Sequence, residues 1–158
     1  MLEKPEEDID MNSKEPVSAE GLMPHERPMR LVDTVLCSGD DGSGEAATRI
    51  HGENIFVDQD GLLAQEALAE LMAQAFAAIN GKTAIQSGGQ GVKGYLVGIK
   101  HMHFLGEARA GDYLTISIRP AGDFAGFVLL TGEVRCQNKL LASGELKIWM
   151  ASQDSHQD

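Results

Sequence analysis

Leu68, Leu71, Met72, Ala75, Phe76 and Ile79 follow one another at steps of three, one, three, one and three, which places them in one apolar stripe along a helix. The pattern predicts a single long helix over 61–80. The opposite face carries Glu66, Glu70, Ala73 and Ala77, with Gln74 at its edge. A solvated helix face normally mixes cations with carboxylates. Here two carboxylates stand four residues apart with no cation among them, an arrangement that costs about 0.2–0.5 kcal/mol on an exposed helix. Two readings stay open on periodicity alone: a half-exposed helix with two ordinary surface glutamates, or a face built to receive something small.

Most of the remaining chain alternates with the period of a strand. Arg30–Cys37 and Glu45–His51 flank the turn signal SGDDGSG, and four further runs follow the helix: Tyr95–Leu105, Asp112–Arg119, Phe124–Cys136 and Lys139–Met150. The stretch 81–94, GKTAIQSGGQGVKG, lacks the GxxxxGK[ST] spacing of a phosphate loop and is read as a helix-to-strand connection. Two prolines at Pro24 and Pro28 exclude a long helix in the lead-in. The order strand, strand, long helix, antiparallel meander predicts an α+β domain over 21–151, with its helix across one face of the sheet. Residues 1–20 and 152–158 are expected to be disordered tails. A lone helix on one sheet leaves its other side in need of cover, so a dimer is expected, with a continuous sheet or packed helices.

Composition narrows the function classes. The 158 residues suffice for one cored domain, 42% are hydrophobic and 5% aromatic, so the core is aliphatic. A formal charge of −11 argues against nucleic acid, which needs a basic footprint, and does not favour an acidic protein partner unless a local basic patch exists. No run reaches the ~20 apolar residues of a membrane helix. The acidic N-terminus lacks the apolar segment of a signal peptide, so a cytoplasmic protein is expected. Cys37 and Cys136 have no CxxC spacing and are read as reduced thiols.

Three motifs then carry a resemblance. The lead-in Leu22-Met-Pro-His-Glu-Arg-Pro-Met-Arg-Leu-Val-Asp-Thr-Val-Leu36 resembles that of the 3-hydroxyacyl-ACP dehydratases. Glu70-Leu-Met-Ala-Gln-Ala75 resembles their relatives' helix motif, Glu-x-Met-Ala-Gln-Ala. Gly94-Tyr-Leu-Val-Gly-Ile99, Phe104 and Gly111-Asp112 resemble a strand of the family and the turn after it. The resemblance covers about residues 22–150 and implies the hotdog fold, an antiparallel sheet wrapped around one central helix. One segment departs from the family: the loop before the helix, Asn54-Ile-Phe-Val-Asp-Gln-Asp-Gly61, lacks the His-Phe-Pro-Gly of the fatty-acid dehydratases. It is closer to the dehydratase-like subgroup associated with aryl polyene gene clusters.

The implied activity is dehydration of a 3-hydroxyacyl thioester in fatty-acid or polyketide-type synthesis. The substrate would be carried on the phosphopantetheine of an acyl carrier protein or of CoA, with no further cofactor. Such a reaction needs a base for the C2 proton, an acid for the C3 hydroxyl, and donors for the thioester oxygen. Glu70 is carried over as the acid, and burial there would raise its pKa. Glu66 is the alternative register, since the Gly61-to-Glu66 spacing also matches the family. Gln74, one turn on, is expected to orient Glu70. His25 is the first choice of base and His51 the second. The amides of Leu62 and Leu63, placed at the expected helix start, are the expected oxygen donors. His101 and His103 share a strand face but find no third ligand at a telling spacing, so no metal is expected. Cys136 has no His–acid arrangement about it. Carrier docking would fall to Lys93, Lys100, Arg109 and Arg119. Two other classes stay open: a non-catalytic or half-site acyl-binding subunit that completes a partner's dimer, and a hotdog acyl thioesterase.

Overall fold

The computed structural model describes residues 15–89 and 93–151. Seven strands form one antiparallel sheet: β1 (Val17–Ser18), β2 (Thr34–Ser38), β3 (Gly44–Arg49), β4 (Gly94–Phe104), β5 (Tyr113–Phe124), β6 (Phe127–Cys136) and β7 (Lys139–Met150). Their order across the sheet is β1-β2-β3-β5-β6-β7-β4. The one helix among the described residues, α1 (Glu66–Gln86), is enclosed by β2, β3, β5, β6 and β7, which is the hotdog architecture.

Alternation drives the sheet onto the helix. Ala46, Ile116, Val134 and Ala142 lie side by side in register on β3, β5, β6 and β7, and all are buried. All six residues of the apolar stripe are at most 6% exposed. Burial extends further round the helix than the stripe, to Ala67, Ala69, Ala78, Gly81 and Lys82, because the chain lies across this side as well. Lys82, at 3% exposure, donates from Nζ to Ser38 Oγ at 3.1 Å and ties the helix end to β2.

The structure corrects four expectations. First, the helix begins at Glu66 rather than Gly61. Gly61 has φ +84°, and Asp58 Oδ1 accepts the amides of Asp60 and Leu62, closing a side-chain turn where the first helical turn was expected. Second, the helix runs on through Gly81 to Gln86, so the start of 81–94 is helix and not connection. Third, β4 does not join the meander beside β5 but crosses to the far edge and pairs with β7. Two register shifts interrupt that pairing, at Leu96/Gly98 and Lys100/His103. Fourth, Val17–Ser18 pair with β2 and Ala19 is fully buried, so order starts earlier than residue 21. The expected tails over 1–14 and 152–158 lie outside the described residues. Among the described residues no helix is long and apolar enough to cross a membrane.

Candidate active site

The helix face that looked unusual in sequence borders a cleft of about 190 Å³. Glu70, Ala73, Ala77 and Asn80 line it from the helix, and Tyr95, Leu96 and Ile148 from β4 and β7. His25 reaches it from the lead-in, with Nε2 3.8 Å from Glu70 Oε2. Both side chains are about one-third exposed (32% and 33%), so Glu70 faces the cleft without being fully buried. His25 Nδ1 is buried and has no hydrogen-bond partner among the described residues.

Gln74 is the device that assembles this pair. It is 1% exposed. Its Nε2 donates to Glu70 Oε2 at 3.0 Å and to the Met29 carbonyl at 2.9 Å. Its Oε1 accepts the Leu31 amide at 2.6 Å and the Val32 amide at 3.4 Å. One side chain therefore supplies the hydrogen bonds that the lead-in backbone would otherwise find in a sheet, which is why residues 30–33 are not strand as sequence suggested. It also fixes the segment that carries His25 against the helix that carries Glu70. Gln74→Leu keeps the volume but strands three backbone groups, the Met29 carbonyl and the Leu31 and Val32 amides, and frees the carboxylate. It is expected to cost about 2 kcal/mol in denaturant unfolding, and to lower turnover by loosening the His25–Glu70 geometry.

The other predicted residues fall elsewhere. Glu66 is exposed on the first helical turn and does not line the cleft. The amides of Leu62 and Leu63 are already engaged, by Asp58 Oδ1 and by the Ala108 carbonyl, both at 2.9 Å. The expectation that they are open donors is thus corrected, because the helix starts four residues later than Leu62. His51 is exposed and lines a different cleft, with Arg27, Arg30 and Arg49. His101 stands 3.4 Å from Glu145 and lines a polar groove on the sheet with His103, and no group of three metal-ligating side chains occurs among the described residues. None of Lys93, Lys100, Arg109 and Arg119 lines the His25–Glu70 cleft, although Lys93 directly precedes Gly94, which does, and Arg109 is within 4.0 Å of Glu107. Asn80 and Tyr95 were missed. Asn80 was within reach, since residues 70, 73, 77 and 80 are one helical face.

Burial and the nearby Asp112 carboxylate push the Cys136 thiol up from its ordinary value. Less thiolate is then present at neutral pH, so in a Cys37→Ser background Cys136 is expected to alkylate more slowly with iodoacetamide than a free thiol. The gap should close as pH rises past the ordinary thiol range.

The sequence of residues 17–157 matches the ApeP-like family, described as ApeP dehydratase. The chain belongs to this family. No curated protein matches it by sequence. Among solved structures, it is similar to a chain of the dehydratase heterocomplex ApeI:P from Xenorhabdus doucetiae, with TM-score 0.79 and 22% identity over 87% of this chain and 93% of that one. It is also similar to a hypothetical thioesterase with coenzyme A from Streptococcus pneumoniae (TM-score 0.58, 12% identity, 75% and 85% covered). The PaaI protein of the E. coli phenylacetic acid degradation operon has the same TM-score, with 18% identity over 77% of this chain and 80% of that one. At these identities the likenesses bear on the fold, which this ApeP-like chain shares with hotdog dehydratases and thioesterases alike.

Proposed function

We propose that this chain acts on 3-hydroxyacyl thioesters as a dehydratase, forming the trans-2-enoyl thioester in fatty-acid or polyketide-type synthesis. The observation that carries the reading is His25 Nε2 at 3.8 Å from Glu70 Oε2 across a mainly apolar cleft. His25 Nε2 takes the C2 proton while a proton passes from the Glu70 carboxyl to the C3 hydroxyl. The C2–H and C3–O bonds break, the C2–C3 double bond forms and water leaves. The proton gained by His25 returns to Glu70 across the short gap between them. Asn80 and Tyr95, the remaining polar side chains in the cleft, are the candidates to donate to the thioester oxygen as charge builds on it. No step calls for a cofactor beyond the phosphopantetheine arm of a carrier protein or CoA.

The cleft is bordered by Gly94, Tyr95 and Leu96 of β4, one of the two edge strands of the sheet, so a second hotdog chain paired along that edge would flank it. Likeness to a chain of a dehydratase heterocomplex supports a partner of that kind; a second copy of this chain is the alternative occupant. The test is absorbance of the enoyl thioester formed from a carrier-bound 3-hydroxyacyl substrate, by this chain alone and mixed with a second hotdog subunit. Enoyl formation in either arm supports the proposal. Release of free thiol without enoyl product would make the protein a thioesterase instead.

A further inference from the structure

A second cleft, of about 200 Å³, lies on the other side of the lead-in and is lined by Arg27, Arg30, Asp33, Arg49, His51 and Asn54 among others. Its electrostatics run against those of the chain, whose formal charge is −11. Three guanidinium groups stand against the carboxylates of Asp33 and Glu53, leaving one net positive charge. Asp33 is fully used: Oδ1 accepts from Arg27 Nη2 at 2.9 Å, and Oδ2 accepts from Thr48 Oγ1 and the Arg49 amide, both at 3.0 Å. Arg30 is 8% exposed, yet among the described residues its guanidinium bonds only the Val32 carbonyl, at 3.0 Å. Arg49 donates to the Gly111 carbonyl at 2.9 Å and lies over the Tyr113 ring, 5.2 Å from its centroid. Neither Arg30 nor Arg49 has a carboxylate within ion-pair distance among the described residues.

A guanidinium withdrawn from water without a counter-charge is costly, and Arg is the side chain suited to bidentate binding of an oxyanion. The cleft has room for several waters, and so for one tetrahedral oxyanion. We propose that the Arg30–Arg49 cleft binds a phosphate ester. Its assignment to the phosphopantetheine arm or nucleotide that carries the acyl thioester rests on the dehydratase reading; binding of the phosphate itself does not. The lead-in connects the two clefts. His25 lines the first, Arg27, Pro28, Arg30, Leu31 and Asp33 line the second, and Gln74 holds the same segment at Met29 and Leu31. An anion seated on Arg30 thus steadies the segment that presents His25.

Calorimetric titration of the full chain with CoA, 3′-dephospho-CoA, inorganic phosphate and pantetheine tests this. The three phosphate-bearing compounds should bind and pantetheine should not. Affinity should fall with added salt, and Arg49→Gln, at an exposed position, should weaken binding at least tenfold. Arg30→Met should abolish binding with an unchanged circular dichroism spectrum; if that variant does not fold, the Arg49→Gln result decides. Holo-carrier should bind and apo-carrier, which lacks the arm, should not. Equal binding of CoA and pantetheine, no effect of Arg49→Gln, absence of binding by every phosphate compound, or equal binding of apo-carrier would each overturn the proposal. Turnover of a phosphate-free N-acetylcysteamine thioester separates this from the dehydratase reading. Turnover without phosphate binding removes the cleft's role alone, and phosphate binding without turnover removes the chemistry alone.

Discussion

Replacing Glu70 with Gln is expected to lower enoyl-thioester formation by about 10²- to 10⁴-fold, the usual contribution of a positioned acid or base. The fold should survive, since the substitution is nearly isosteric and the side chain is one-third exposed. The amide cannot deliver a proton to the leaving hydroxyl, so the loss should appear in kcat more than in KM. His25→Gln should fall in the same range, and the double variant should be little worse than either single one, because the two groups serve one step. Unchanged turnover in Glu70→Gln would remove the carboxylate from the mechanism. The assay is the absorbance of the conjugated product, run with whichever partner chain gives activity.

Gly81→Ala is expected to be among the most destabilising single methyl additions in the chain. Gly81 lies in the helix, and a Cβ there would fall inside the Leu22 backbone carbonyl. Backbone meets backbone, so no rotamer change relieves the contact. Overpacking typically costs 1–3 kcal/mol, and here about 3 kcal/mol or more is expected by urea unfolding. The strain should also reach the site. Leu22 begins the segment that carries His25, and pushing it away works against the grip of Gln74 on Met29 and Leu31. Residual folded protein should therefore show a turnover defect larger than its loss of folded fraction. Wild-type stability in this variant would mean that the helix and lead-in are not packed as described.

The physics of local pattern explains what the sequence disclosed and where it stopped. Leu68, Leu71, Met72, Ala75, Phe76 and Ile79 were legible as a core stripe because helical periodicity is local, and all six are buried. β7 was legible to the residue, and β4 to within one, for the same reason. The helix start was not. Asp58 turned the chain through its side chain, and Leu62 and Leu63 were drawn into isolated bridges with Arg109 and Val57. The connection was placed from Gly81 onward, whereas the missing side chain of Gly81 serves a tertiary approach within a continuing helix. The crossing of β4 to the far edge is decided by pairing over long sequence separation, which no window reports.

The site divides along the same line. Glu70, Gln74 and His25 were legible through motif spacing, and the structure brings the three together. The four-bond role of Gln74, which joins two segments more than forty residues apart, had no local signature. Nor did the Arg27–Arg30–Arg49 cleft, whose cations come from two segments, the lead-in and the end of β3, and meet only in three dimensions.

The two interruptions along β4 bear on solution behaviour. This edge strand is eleven residues long and displays Tyr95, Val97 and Ile99, each about half exposed. A flat edge of that length and polarity would template the addition of chain after chain. Here the ladder is broken near Val97 and again near His101, where φ is +52°. Each break turns the strand, so regular hydrogen bonding is confined to short runs. Such an edge offers a second chain only short runs of regular pairing, and so resists the open-ended addition of strands that leads to fibrils.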